Sequence, residues 1–244
     1  MKKVLRKIIS SVIDVTPPEV YSDFEEIHNT IWNEVNGNTM TSKERIYGLI
    51  EAVKYVTKFK IEGDIVECGV WKGGSMMAIA KTLLRDSSID RQLYLYDTFE
   101  GMSAPTEADA DFQNQSAESL LAKNDKEKSH VWAYSALETV QQGMATTKYP
   151  SANIHYVKGK VEDTIPSNIP GKIALLRLDT DWYESTKHEL IHLFPKLQKG
   201  GVLIIDDYGF WKGARKAVDE YFAENNIQIL LNRMDNTGRI AIKQ

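Results

Sequence analysis

Lys172-Ile-Ala-Leu-Leu-Arg-Leu-Asp-Thr-Asp181 and, after a helix-length interval, Val202-Leu-Ile-Ile-Asp-Asp207 decide how this chain folds. Residues 173–178 and 202–205 are short apolar runs rich in Leu, Ile and Val. Strands buried on both faces of a parallel sheet read this way. Residues 183–194 between them suit a helix, closed by Pro195 and Gly200-Gly201. The unit is therefore strand, helix, strand, with Asp179, Asp181, Asp206 and Asp207 at the C-terminal strand ends. In an open α/β sheet those ends face the ligand crevice. Crowded carboxylates resist ionisation together, so the set asks for a cation or for ligand protons. Taken singly, Asp179 and Asp206 would also serve as helix caps.

Upstream, Glu67-Cys-Gly-Val-Trp-Lys-Gly-Gly-Ser75 joins a strand at 64–68 to a helix at 75–84. The glycines of this turn would let a ligand approach the backbone, and the helix N-terminus offers free N–H groups to an anion. The spacing is not G-x-G-x-x-G, which argues against a dinucleotide. Glu67, at the first strand end, suits a ligand amine or hydroxyl. Leu93-Tyr-Leu-Tyr-Asp97 is the second strand, and its terminal acid suits ribose hydroxyls. Residues 98–130 are long, polar and acidic, which predicts a lid or a disordered loop. A helix is expected at 131–144 and a third strand at 153–157. The following loop would bring Glu162 or Asp163 near a bound base. A helix at 211–225 and paired strands at 227–231 and 239–242 complete the chain. This βα alternation predicts an α/β doubly wound sheet, mostly parallel with one antiparallel strand.

Residues 1–60 read as a helical segment packing on the sheet domain at 61–244, one domain overall. Helices are expected at 19–36 and 42–58, parted by Asn36-Gly37-Asn38. Thr41-Ser-Lys-Glu44 has the form of a capping box with Thr41 as the cap. Ile46, Leu49, Ile50, Val53 and Val56 share one helical stripe that suits a core. Residues 1–18, basic and amphipathic, are expected to pack on a second subunit in a homodimer.

The chain has 244 residues, 42% of them apolar, enough for a sizeable core. Its net charge of −4 gives no electrostatic footprint for nucleic acid. Cys68 is the single cysteine, which excludes an internal disulfide and a cysteine-based zinc site and fits a cytoplasmic protein. No apolar run approaches the roughly 20 residues that span a bilayer.

Asp179, Asp206 and Asp207 offer three hard oxygen ligands on adjacent strand ends, a set that suits Mg²⁺. Asp181, two residues on, suits a general base, or a first-turn acid complementing the helix dipole. His188 and His192 stand i, i+4 on a helix, and their apolar neighbours favour a surface role over a metal pair. Trp182, Tyr183, Tyr208 and Trp211 suit either a pocket wall or sheet-to-helix packing.

Glu67-Cys-Gly-Val-Trp-Lys-Gly-Gly-Ser75, Asp97-Thr-Phe-Glu-Gly101, Leu178-Asp-Thr-Asp-Trp-Tyr-Glu-Ser-Thr186 and Ile205-Asp-Asp-Tyr-Gly209 together resemble the macrocin O-methyltransferase family. The resemblance runs from about residue 39 to the C-terminus. It implies a Rossmann-like class I methyltransferase fold, S-adenosylmethionine as donor and a Mg²⁺ site. By that resemblance Glu67, Gly69 and Ser75 line the methionine end, and Thr39 and Met40 close over it. Asp97 takes the ribose and Glu162 lies near the adenine. Asp179, Asp206 and Asp207 match the metal ligands, Asp181 the base, and residues 98–130 the substrate lid. The function so implied is metal-dependent O-methylation of a sugar hydroxyl on a glycosylated natural product or polysaccharide precursor. Two rivals are a catechol-type enzyme acting on a small phenol and a cofactor-binding protein without turnover. The intact acid set argues against the second.

Overall fold

The computed structural model describes residues 21–244, so the subunit contact expected of residues 1–18 lies outside the described residues. β1 (Asp64–Cys68), β2 (Leu93–Asp97), β3 (Ile154–Lys158), β4 (Ile173–Leu178), β5 (Leu197–Ile205), β6 (Asn232–Arg233) and β7 (Arg239–Ile242) form one sheet. Its order is β3-β2-β1-β4-β5-β7-β6. Neighbours from β3 to β5 pair in parallel, and β7 runs antiparallel to both β5 and β6. The strand order reverses between β1 and β4, which opens a crevice at their C-terminal ends.

The helices are α1 (Glu26–Val35), α2 (Lys43–Lys58), α3 (Gly74–Arg85), α4 (Ala117–Ala122), α5 (Leu137–Thr147), α6 (Val161–Thr164), α7 (Tyr183–Leu193) and α8 (Lys212–Glu224). Side chains alternate across a strand, so each strand feeds two cores. Ile65, Leu175, Val202 and Ile204 join the core under α1, α2, α3 and α5. Val66, Leu176, Leu203 and Ile205 join the core under α7 and α8. All six residues of β4 are buried. The same alternation puts Glu67, Arg177 and Asp206 on the α2 side, each two residues beyond a member of the first core. Register sets Glu67 beside Arg177 and Arg177 beside Ile204.

Several local expectations change. The cap of α2 is Ser42, whose Oγ accepts from the Arg45 N–H at 3.2 Å. Thr41 lies one residue too early and its hydroxyl reaches Asp206 instead, at 3.5 Å. The helix expected at 131–144 begins only at Leu137, because Ala133 adopts a left-handed backbone (φ +43°) after a 3-10 turn at His130–Trp132. Among the described residues, the segment 227–231 pairs with no strand. Asn226 turns the chain at φ +52°, Ile227, Ile229 and Leu231 pack against the second core, and β6 forms later as half of a short hairpin.

Residues 98–130 are ordered by specific contacts. Asp109, 1% exposed, accepts from the Tyr183 N–H at 2.8 Å and so caps α7 from 74 residues away. Its other oxygen accepts from Thr106 N–H and Oγ1, at 2.7 and 3.0 Å. Asp111 bridges to Trp211 in a β-bridge, and Lys212 N–H donates to Ala110 O at 2.8 Å. Ala117, Leu121, Trp182, Trp211 and Ala214 form a small third core beneath the segment. The expectation of a loose lid missed these anchors. A Cβ at Gly213 would stand 2.0 Å from Asp109 Oδ1, so only glycine fits under the cap.

Asp109→Ala leaves the part-buried Tyr183 N–H without an acceptor, worth about 1–3 kcal/mol, and frees the more exposed Thr106 N–H and hydroxyl, which water can satisfy. Urea unfolding should show a loss of at least that size for one donor, with faster hydrogen exchange across residues 106–117. An unchanged midpoint would show that Asp109 is not the anchor.

Candidate active site

A cavity of about 600 Å³ opens at the C-terminal ends of the strands, on the crevice side. That volume suits a small molecule and part of a second. Thr39, Met40, Gly69, Ser75, Asp97 and Glu162 line it, as do Asp179, Asp181, Asp206 and Asp207. Met40 is half exposed at the rim. Glu67 does not line it. It is fully buried, pairs with the Arg177 guanidinium through Oε1 and leaves Oε2 without a partner. Burial pushes its carboxyl up to about 7, against the pull of Arg177.

Arg177, 4% exposed, is the centre of the charge network. Its Nη2 lies 2.8 Å from both Asp179 Oδ2 and Asp206 Oδ1. Arg45, from α2, pairs with Asp206 from the other side and with Asp235 at 2.7 Å, and donates to the Thr237 hydroxyl. Asp206 is thus held between two guanidinium groups. It stands outside the oxygen cluster expected of it: the carboxylates brought within 4.8 Å of one another, among the described residues, are those of Asp179, Asp181 and Asp207. Burial holds Asp179 and Asp207 well above the usual carboxylate range, each pushed further by the neighbouring acids. Burial also lifts Asp181 to about 7, with a hydrogen bond to Asp207 opposing the shift. The donors are all oxygen, close together and poorly ionised as a bare set, which fits a hard divalent cation.

At the other end of the cavity Asp97 clamps the glycine-rich turn. Its Oδ2 accepts from Val70 and Trp71 N–H at 2.7 and 3.1 Å, and its Oδ1 from Phe99 N–H at 2.7 Å. Burial still raises its pKa above the ordinary value. The glycines here serve the protein's own packing, and Gly69 also lines the cavity. A Cβ at Gly69 would sit 2.0 Å from Asp179 O, and one at Gly74 would sit 2.5 Å from Asn38 O. The turn therefore fixes β1 against β4 and α3 against the segment that carries Thr39. What it leaves open to a ligand is the backbone at Gly69 to Trp71 and the α3 N-terminus at Ser75.

Other expectations resolve into packing. Trp182 and Trp211 meet edge to face at 4.9 Å in the third core, though Trp211 also reaches the cavity wall. Tyr183 and Tyr208 donate to Glu220 and Asp219. His188 Nε2 lies 2.9 Å from Ile165 O, and no carboxylate completes a metal set with His192 among the described residues. Arg177, Arg45, Thr180 and Glu189 escaped the sequence reading. For Arg177 a signal existed: it is the one charge inside the apolar run 173–178. The others carry none that spacing reveals.

Comparison with known proteins matches residues 16–242 to the macrocin-O-methyltransferase (TylF) family. The chain is 33% identical over 207 residues to the 8-demethyl-8-(2,3-dimethoxy-alpha-L-rhamnosyl)-tetracenomycin-C 4'-O-methyltransferase of Streptomyces olivaceus, covering 85% of this chain and 76% of that one. It is 30% identical over 203 residues to the demethyldecarbamoylnovobiocin O-methyltransferase of Streptomyces niveus, covering 83% and 74%. It is 30% identical over 202 residues to the mycinamicin III 3''-O-methyltransferase of Micromonospora griseorubida, covering 82% and 76%. The solved structure of the O-methyltransferase NovP superposes with a TM-score of 0.74 at 29% identity, over 85% of this chain and 82% of that one.

Sheet order, crevice and acid-lined cavity are those of a class I O-methyltransferase that uses S-adenosylmethionine. Within that class, the chain belongs to the macrocin-O-methyltransferase family.

Asp97→Ala removes the acceptor of three backbone donors and should destabilise the turn by about 1–3 kcal/mol. It should also weaken S-adenosylmethionine binding by at least tenfold, or about 1.4 kcal/mol. Calorimetry showing the parent affinity would remove Asp97 from the cofactor end.

Proposed function

We propose that the chain methylates a sugar hydroxyl on a glycosylated small molecule, assisted by a hard divalent cation. The observation that carries this reading is the cluster of Asp179, Asp181 and Asp207 oxygens within 4.8 Å on the floor of the cavity. The relatives' names support the acceptor class: one acts at the 4' position of a rhamnosyl tetracenomycin, another at the 3'' position of mycinamicin III.

Gly69, Ser75, Thr39 and Met40 would hold the cofactor's methionine end, Asp97 its ribose and Glu162 its adenine. Asp179 and Asp207 would hold the cation, while Asp206 stays with its two arginines. A bound cation supplies positive charge that lowers the pKa of a nearby hydroxyl. Asp181 accepts the hydroxyl proton on its carboxylate. S-adenosylmethionine, when bound, would supply the methyl group, the carbon–sulfur electron pair leaving on the sulfur as the acceptor oxygen takes the carbon. Positioning accounts for much of the rate in such an in-line displacement. Met102, Leu120, Val131 and Phe210 line the acceptor side and exclude water, and Ser103 and Gln115 offer polar groups to sugar hydroxyls.

The test is a panel of neutral glycosides, sugar nucleotides and catechols with S-adenosylmethionine, read by mass spectrometry. Glycosides should gain one methyl group. Transfer to catechols alone would overturn the sugar reading. Chelator should abolish turnover and Mg²⁺ restore it, whereas full activity in chelator removes the cation from the reaction. Asp181→Asn should lower kcat by ~10²–10⁴, the usual share of general base catalysis. A kcat within a few-fold of the parent would remove Asp181 as the base.

A further inference from the structure

Asp181 sits in a backbone conformation that non-glycine residues seldom adopt, at φ +70°. The Trp182 N–H donates to Thr180 O at 2.8 Å, which closes a three-residue turn around Asp181. Turns of this kind with positive φ at the centre are rare and strained. Strain of that sort persists only where the surroundings over-determine it.

Here the surroundings converge on Thr180. Its Oγ1 donates to Glu189 Oε1 at 2.9 Å. Its carbonyl receives the Ser185 hydroxyl at 3.4 Å, and the same hydroxyl reaches Trp182 O at 3.2 Å. On the other flank Asp179 N–H donates to Cys68 O at 2.8 Å. Glu189 is the unusual member. It is fully buried on α7, directly before Leu190, which belongs to the second core. Among the described residues its Oε2 has no partner of good hydrogen-bond geometry, so Thr180 makes its best-formed bond, with the Cys68 thiol beside the same carboxyl. Burial pushes the Glu189 carboxyl well above the usual carboxylate range. A buried polar group with so little satisfaction is costly. What it does for that cost is fix the one hydroxyl between Asp179 and Asp181.

We propose that Glu189, acting through the Thr180 hydroxyl, is a positioning residue that holds the strained turn and keeps the Asp181 carboxylate facing the acceptor. The proposal rests on Asp181 being the base.

Four single variants and one double test it. Thr180→Val and Glu189→Leu break the bond. Thr180→Ser and Glu189→Gln keep a hydroxyl and an acceptor oxygen. The first readout is amide exchange at Trp182, which needs no acceptor. The second is kcat on the glycoside that the panel identifies, with S-adenosylmethionine affinity measured by calorimetry. Thr180→Val and Glu189→Leu should each speed Trp182 exchange and lower kcat about tenfold or more, the scale at which misplaced groups cost rate. Cofactor affinity should stay within about twofold, since the turn carries none of the cofactor contacts. Thr180→Ser and Glu189→Gln should bring both readouts back toward the parent. The double variant should be no worse than either single, because both remove the same bond. If Glu189→Leu does not fold, the Val and Ser pair at Thr180 decides alone. Unchanged exchange and kcat in Thr180→Val, with Asp181→Asn strongly impaired, would overturn the positioning role and leave the base assignment standing. Parent-like turnover in Asp181→Asn would overturn both.

Discussion

A guanidinium buried inside an apolar strand is the constraint on which the rest of this structure depends. Arg177 is the fifth residue of β4, and every other residue of that strand is apolar. Strand alternation turns it to the α2 face, and register sets Glu67 beside it. Asp179 and Asp206 complete its partners. Carboxylates buried at this density cannot all ionise without a cation among them. Arg177 supplies that charge from within the sheet. Arg45 supplies a second from α2, and its bonds to Asp235 and Thr237 tie the N-terminal helices to the β6–β7 hairpin. Segments far apart in the chain therefore meet at the acids.

The network divides carboxylates of the same chemistry into two groups. Glu67 and Asp206 are paired to arginine, and Asp97 is held by three backbone N–H groups. These acids set geometry. Asp179, Asp181 and Asp207 face one another, with Arg177 at Asp179 the one guanidinium that reaches the cluster. They are the acids to which the proposed function gives the cation and the proton. Asp109, in the segment 98–130, belongs to the first kind. It caps α7 and so fixes the start of the helix that follows Asp181.

The strands of the sheet were legible because their signals are local. Residues 173–178 and 202–205 are apolar without interruption by turn residues, and acids end β2, β4 and β5. Residues that line the cavity could be named for the same reason, since strand ends and the glycine-rich turn converge by topology. The partnerships were not legible. Nothing in the spacing says that Asp206 meets Arg45, 161 residues away, rather than joining Asp179 and Asp207. Glu67 looked like a ligand contact because its burial under Arg177 is a property of register. The segment 98–130 looked loose because its anchors, Asp109 and Asp111, are acids like those of a solvated loop. Residues 227–231 have strand-like apolar alternation, yet they pack on a finished core and pair with nothing.

The most direct test of this account is equilibrium urea unfolding of Arg177→Met against the parent. Methionine fills much of the same volume without charge. The network predicts a loss of roughly 3–5 kcal/mol, the cost of leaving buried charges without their partner. Part of that loss should return in Arg177→Met with Glu67→Gln, which removes one stranded carboxylate. An Arg177→Met protein as stable as the parent would contradict the claim that this guanidinium holds the acids together.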